Sequence, residues 1–331
     1  MSIKTLYLSA CVSLASAVLS FLPVSADAAQ SLLYYEAQAV ASRASDDAAI
    51  HLYSSMPGHS MQKPAIGFDY TMRLSSAGGD WGVLAVQPRV AYGGGDIEFQ
   101  LYNAFLKLKF SSFDIWAGHG KPSFGLSYSL DSHGELLQPL SMEGFGFDRD
   151  WGLGAYKSAG WGDIGICVTS GTGMPLFLDG NYFASARASY KILERDNISY
   201  GLSLGGGSIP EIEGYMQTGP GLHGILLSGA DLSAVYNNYT FRLDSALGVY
   251  DADMAYALML RVGASFLEDN NLRFDIQPQA VNKGAHSSVF GLYAGLSYSL
   301  TSYLSFRITD YIEPAAGYNR LAVQAYLYNR M

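Results

Sequence analysis

Two cysteines occur in the 331 residues, and only Cys167 lies beyond the first thirty. A single thiol closes no intrachain disulfide, so neither a disulfide framework nor a cysteine-based zinc site is available. Cys167 reads as a small packing or lipid-facing residue. Charge is scarce as well: charged residues make up 15% of the chain, with 20 Lys and Arg against 29 Asp and Glu. An acidic chain is a poor match for a phosphate backbone, which argues against nucleic acid as a partner. Beyond residue 29 no apolar run approaches the ~18 residues that a membrane helix needs, so any part embedded in lipid must be built from strands. No Pro/Ser linker, low-complexity tract or exact repeat divides residues 30–331, which read as one domain. No Gly-x-Ser-x-Gly or His-x-x-x-His pattern falls on a helical segment, and no metal, cofactor or catalytic residue is expected.

What is present begins with an export signal. Lys4, the apolar stretch from Leu6 to Val24 and the small residues Ala26-Asp27-Ala28 have the form of a secretory signal peptide, placing cleavage near residue 29. Leu8-Ser9-Ala10-Cys11 also reads like a lipoprotein box, although the apolar run continues well past Cys11. The 37 glycines, 24 tyrosines and 16 phenylalanines that accompany this signal suit strands with glycine turns and aromatic girdles.

The mature chain alternates with period two. From Tyr239 to Val249 the odd positions are apolar while Thr240, Arg242, Asp244 and Gly248 lie between them. The same rhythm runs through Ile66 to Leu74, Tyr256 to Phe266, Leu272 to Gln277 and Leu304 to Thr309. Tight turns fall near Ser76–Gly79, Ser111-Ser112, Gly160–Gly162, Arg195-Asp196, Asn237-Asn238, Asp269-Asn270 and Thr301-Ser302. They interleave with eight connectors that are more often long: 44–62, 92–96, 121–149, 171–180, 208–223, 250–254, 282–287 and 313–318. Seven turns and eight loops predict an all-β, transmembrane, antiparallel up-and-down barrel of about 16 strands, or 14, with both termini on the periplasmic side. A soluble sandwich would alternate too, but without a two-sided difference in connector length. The strand near residues 96–109 slips phase around Tyr102 to Ala104, as at a β-bulge.

The longest connector, 121–150, carries leucines and aromatics that a solvated loop has no use for. Its ordinal place resembles the third external loop of general porins, which folds into the lumen and narrows it. The run Gly118 to Leu126, GHGKPSFGL, is similar to a strand-end segment of phosphate-selective and related porins. That resemblance implies a constriction built from Asp131, His133, Glu135, Glu143, Asp148 and Arg149. The alternative is a loop packed over the barrel mouth as a plug or lid. The C-terminal strand RLAVQAYLYNRM alternates as a porin strand does, yet it ends in Met331 where the assembly signal has an aromatic.

With the polar faces turned inward, the wall collects Arg73, Arg89, Lys107, Lys109, Arg187, Lys191, Arg242, Arg261, Arg273 and Arg307, against Asp69, Asp231, Asp244 and Asp275. The external loops carry acids, among them Glu135, Glu143, Glu211 and Asp251. A basic wall favours anions by simple electrostatics, unless the arginines are paired with lumenal acids and only stiffen it. The expected function is a porin-like channel in the Gram-negative outer membrane for passive diffusion of small hydrophilic solutes, with a leaning toward anions. Its partners would be outer-membrane lipid and those solutes, and the outward alanines Ala184, Ala186 and Ala188 are a candidate homotrimer wall. Two other classes stay open: a non-conducting structural or adhesin barrel, and an outer-membrane hydrolase using Asp131-Ser132-His133.

Overall fold

The computed structural model describes residues 30–331 other than 54–60, 133, 220 and 285–287. The export signal and His133 lie outside the described residues. Nineteen strands are described: β1 (Ser31–Ala44), β2 (Asp47–His51), β3 (Ala65–Ser76), β4 (Gly79–Gly93), β5 (Asp96–Lys109), β6 (Asp114–Gly120), β7 (Asp150–Ala159), β8 (Gly162–Thr169), β9 (Tyr182–Tyr190), β10 (Ile198–Ile209), β11 (Ile212–Glu213), β12 (Met216–Gln217), β13 (His223–Tyr236), β14 (Tyr239–Tyr250), β15 (Asp253–Phe266), β16 (Leu272–Asn282), β17 (Val289–Ser299), β18 (Leu304–Glu313) and β19 (Tyr318–Arg330). Three of them are accessories: β2 folds back on the rim end of β1, and β11 pairs only with β12. The other sixteen each bond antiparallel to both neighbours, and β1 joins β19 from Tyr34↔Arg330 to Ala44↔Arg320. The sheet is a closed cylinder with no free edge, the arrangement that lets extended backbone sit in hydrocarbon with every N–H and C=O paired.

The period-two pattern follows this wall. Leu202 and Leu204 on β10 are 70% and 63% exposed, while Ser203 between them is buried. Phe241, Leu247, Leu258, Phe274, Ile276, Phe306 and Ile308 also face out. Aromatics gather near the turns that share an end with the termini: Phe110, Phe113, Trp161, Tyr190, Tyr200, Tyr236, Tyr239 and Tyr303 are all exposed there. An apolar belt of this extent, bordered by aromatic side chains, is stable against lipid and unstable in water. Cys167 faces inward among Ser123 and Ser185, so it is the packing residue and not the lipid-facing one.

External connectors are shorter than expected at two places, and the expected tight turn at Arg195-Asp196 is a seven-residue connector with a helical turn at Leu193–Asp196. Residues 92–96 reverse through Gly94 and Gly95, and 250–254 through Asp251 and Ala252, so these external connectors are as tight as the turns at the other end. Each of the four turn residues has positive φ, the geometry that matches the right-handed twist of a two-residue hairpin. The phase slip in β5 is a bulge: Gln87 pairs with Asn103 and Pro88 with Leu101, leaving Tyr102 as the extra residue. Pro88 has no N–H to give to a ladder, so an interruption of regular pairing is tolerated beside it.

Leu204→Arg places a charge on the outer face near mid-wall and should cost about 2–4 kcal/mol in urea unfolding of the barrel from lipid vesicles. Leu178→Arg, in the external connector 170–181, should stay within about 0.5 kcal/mol. Equal effects at the two positions would contradict a lipid-facing wall.

Candidate functional site

The inward rows of the wall divide into a dry half and a wet half. On β9, β10 and β13–β15 the upper inward positions are Phe183, Ile209, Ile225, Leu227, Ala246, Ala257 and Met259, all buried. Water-filled lumens have no use for such residues, and here they are covered by residues 121–149, the third external loop, L3. Leu126, Leu130, Leu140, Phe145 and Phe147 of L3 join those wall residues in one apolar cluster inside the barrel. Phe183 is its anchor, with ring centroids 6.1 Å from Phe124 and 5.3 Å from Phe147.

Polar bonds fix the course of L3 across the lumen. The Gly125 N–H donates to Ser203 Oγ at 3.0 Å and the Leu126 N–H to Asp244 Oδ1 at 3.3 Å. At the far wall, Glu135 accepts from Arg261 at 2.7 Å and the Gln138 carbonyl accepts from Gln277 Nε2 at 3.0 Å. Glu143 accepts from Gln279 at 3.2 Å, and burial raises its carboxyl above the ordinary carboxylate range. The loop returns through Asp148 and Arg149. Asp148 is buried and receives the Tyr215 hydroxyl at 2.5 Å, while the Arg149 guanidinium lies 4.2 Å from the Tyr102 ring centroid. Asp150 then accepts from the N–H groups of Gly171, Thr172 and Gly173, tying the next external connector to the foot of L3. Gln62, returning from the first external connector, donates to the carbonyls of Glu135 and Leu136 and pins the tip from above.

Cavities remain inside the wall, and charged residues border two of them. One of about 590 Å³ is bordered by Lys107, Trp116, Lys121, Arg149, Asp163 and Arg187. The other, about 200 Å³, lies toward β15–β18 and is bordered by Glu135, Arg261, Arg273, Asp275, Arg307 and Thr309.

Most of the charges singled out from sequence are engaged. Arg89, 2% exposed, binds Glu36 at 2.8 Å, Gln100 at 2.8 Å and the Met61 carbonyl at 2.7 Å. Arg187 forks onto Asp231 at 2.6 and 2.9 Å, and Arg273 onto Asp275 at 2.7 Å through both contacts. Lys107 lies 3.7 Å from Asp114, and Arg73 pairs with Asp80 at the lower rim. Lys109 is exposed near the turn, and Asp69 accepts from the Tyr328 hydroxyl. Asp131 of L3 accepts from the Tyr102 hydroxyl at 3.1 Å and lies 3.7 Å from Arg149, with its side chain 65% exposed. Glu135 and Glu143 are therefore not rim acids: L3 carries them into the lumen and spends them on Arg261 and Gln279. Of the suggested hydrolase residues, Asp131 is engaged by Tyr102 and Arg149, and His133 lies outside the described residues. The run Gly201-Leu202-Ser203-Leu204-Gly205 lies mid-strand, not on a strand-to-helix elbow.

Sequence reasoning passed over Glu36, Gln38, Gln100, Trp116 and Lys121. The even positions of β1, with Glu36, Gln38 and Ser42 between apolar neighbours, carried a signal of the same kind as the strands that were read. Trp116 carried none, because an indole on an inward row needs the flat space left by Gly120 and Gly154, which belong to its own strand end and to β7.

No protein-family model matches the chain, and no curated sequence is similar to it. Solved structures are. OmpF of Salmonella typhi in complex with daunomycin is 13% identical, with a TM-score of 0.65, over 91% of this chain and 98% of that one. The anion-selective porin from Comamonas acidovorans is 12% identical, with a TM-score of 0.61, over 92% and 100%. The trimer form of OmpT, an outer membrane protein of Vibrio cholerae, is 11% identical, with a TM-score of 0.63, over 92% and 100%. At such identities the likeness is one of fold, and the fold is that of the porin barrels of the outer membrane.

Phe183→Ala should open a cavity in the seat of L3, at a cost of about 3–5 kcal/mol to loop docking, and make 121–149 a protease target while the barrel stays folded. Burial, helped by the Arg149 charge, brings the Lys121 ammonium down from 10.5 to about 8. A lysine whose folded value is depressed is penalised fully below that value and relieved as pH rises toward its ordinary one. Protease resistance of L3 should therefore increase between pH 8 and 10.5, and Lys121→Met should abolish that part of the increase.

Proposed function

We propose that the chain is an outer-membrane channel for passive diffusion of small hydrophilic solutes, exported by residues 1–29 and doing no chemistry. The observation that carries this reading is the pair of charge-bordered cavities left inside a sixteen-stranded wall beside L3, both reaching the end that carries the short turns. A barrel of that strand number is wide enough to enclose an aqueous path, and a loop that fills part of it sets a small cut-off. Of the bases along the wall, Arg73, Arg89, Lys107, Lys109, Arg187, Arg242, Arg261, Arg273 and Arg307, most meet acids such as Glu36, Asp80, Asp114, Asp231 and Asp275, with Asp69 and Asp244 on the same wall; Arg242 and Arg307 have no ion-pair partner among the described residues, which supports a preference for anions. Because most of those bases are paired, the preference is mild. The outward row Ala184, Ala186 and Ala188 on β9 is smooth enough for barrel-to-barrel packing in a trimer, and the similar OmpT structure is a trimer form.

A specific observation also favours a plugged, structural barrel: the apolar cluster that L3 forms inside the lumen. Planar bilayers separate the two. The channel reading expects small, stable conductance steps from the native protein, a reversal potential on the anion side in a KCl gradient, and steps several-fold larger when 125–147 is replaced by a short Gly-Ser link. A silent native protein whose loop-shortened form conducts is the plugged barrel. Silence of both discards the channel.

A further inference from the structure

The smaller cavity is bordered by more guanidinium groups than the carboxylates beside it neutralise. Arg242 on β14 and Arg261 on β15 are directly paired across the ladder, and Arg273 and Arg307 face the same lumen from β16 and β18. Like charges set side by side on adjacent strands repel, so such a pair survives only where something else compensates it. Two carboxylates do part of this. Glu135 of L3 takes Arg261, and Asp275 takes Arg273 in a fork. Arg242 has no ion-pair partner among the described residues, and its Nη1 is buried without a hydrogen-bond acceptor. Nη2 of Arg261, a residue 1% exposed, is likewise without one. Arg307 finds only a neutral acceptor, Gln324 Oε1 at 2.9 Å, and the face of Tyr326 at 5.1 Å. Four positive groups thus meet two negative ones in one electrostatic neighbourhood, an excess of two.

The space is shaped to match. Gly295, Ser297 and Thr309 line the cavity between the arginines, where longer side chains would fill it, and its volume of about 200 Å³ admits a small ion with a few waters. We propose that this cavity is a saturable binding site for a small divalent oxyanion, held by Arg261 and Arg307, with Arg242 adding charge from outside the lining, beside Arg261. The proposal rests on the lumen being a solute path and deepens that reading from general diffusion to facilitated entry of one solute class. Two negative charges supply what the wall lacks, and several oxygens accept the orphaned N–H groups, whereas a chloride ion supplies half the charge and no fork geometry.

The test uses sulfate and the full mature protein folded in detergent. Isothermal titration at low ionic strength should show one saturable sulfate site not reproduced by chloride at equal ionic strength. Arg307→Gln and Arg242→Gln should each weaken it at least about tenfold, and Arg242→Lys by less, with heat-modifiable mobility on gels confirming the barrel in every variant. In bilayers, sulfate should reduce chloride current through the native channel and not through the double Gln variant. Absence of saturable sulfate binding in a folded, conducting native protein overturns the site, as does undiminished binding in the double variant. Binding without conductance supports the site and overturns the channel reading alone.

Discussion

Closure of the backbone ladder is the constraint from which everything else in the molecule descends. In hydrocarbon an unpaired N–H or C=O has no water to turn to, so the first and last strands must find each other. The β1–β19 register supplies that seam over eleven residue pairs. Once the cylinder is shut, side-chain direction follows without further choice, because alternate residues must face lipid or lumen. The lumen's chemistry is thus set by every second residue of sixteen strands, together with whatever the loops bring inside.

What the loops bring is a second interior. L3 builds a dry cluster against one half of the wall and leaves the other half polar. Its apolar residues pay for the insertion of a loop that carries Glu135, Glu143, Asp148 and Arg149, each of which finds a partner on the wall or within the loop. The result is a lumen whose free space is divided, with Arg242 and Arg307 left without a carboxylate at or beside the smaller cavity. Electrostatic excess in a confined polar space is stronger than the same excess on an open surface, since there is less water to screen it.

Much of the wall could be read from residues alone, and the reason is physical. Lipid on one side and water on the other force a period of two, as at Tyr239–Val249 and Leu304–Thr309, and the bulge at Tyr102 announced itself as a break in that period. The tight external reversals at Gly94-Gly95 and Asp251-Ala252 were mistaken for longer loops because composition marks a turn without giving its length. The interior course of L3 was only half visible. Its leucines told that it packs, but the seat, Phe183, Ile209, Ile225 and Met259, lies on strands far along the chain. The arginine excess was hidden likewise. Arg242 and Arg261 are nineteen positions apart, and their adjacency comes from the β14–β15 register, while the loss of Glu135 to Arg261 depends on where the loop ends up.

That dependence on distant strands has a temporal side. Leu126 bonds to a residue 118 positions later, Glu135 to one 126 later and Gln138 to one 139 later. During synthesis L3 therefore emerges long before its docking partners, with leucines and phenylalanines bare. Until the C-terminal half of the chain arrives, the segment is a sticky flap in an aqueous compartment. The same residues that stiffen the finished barrel leave its unfinished form with a long apolar segment that water penalises.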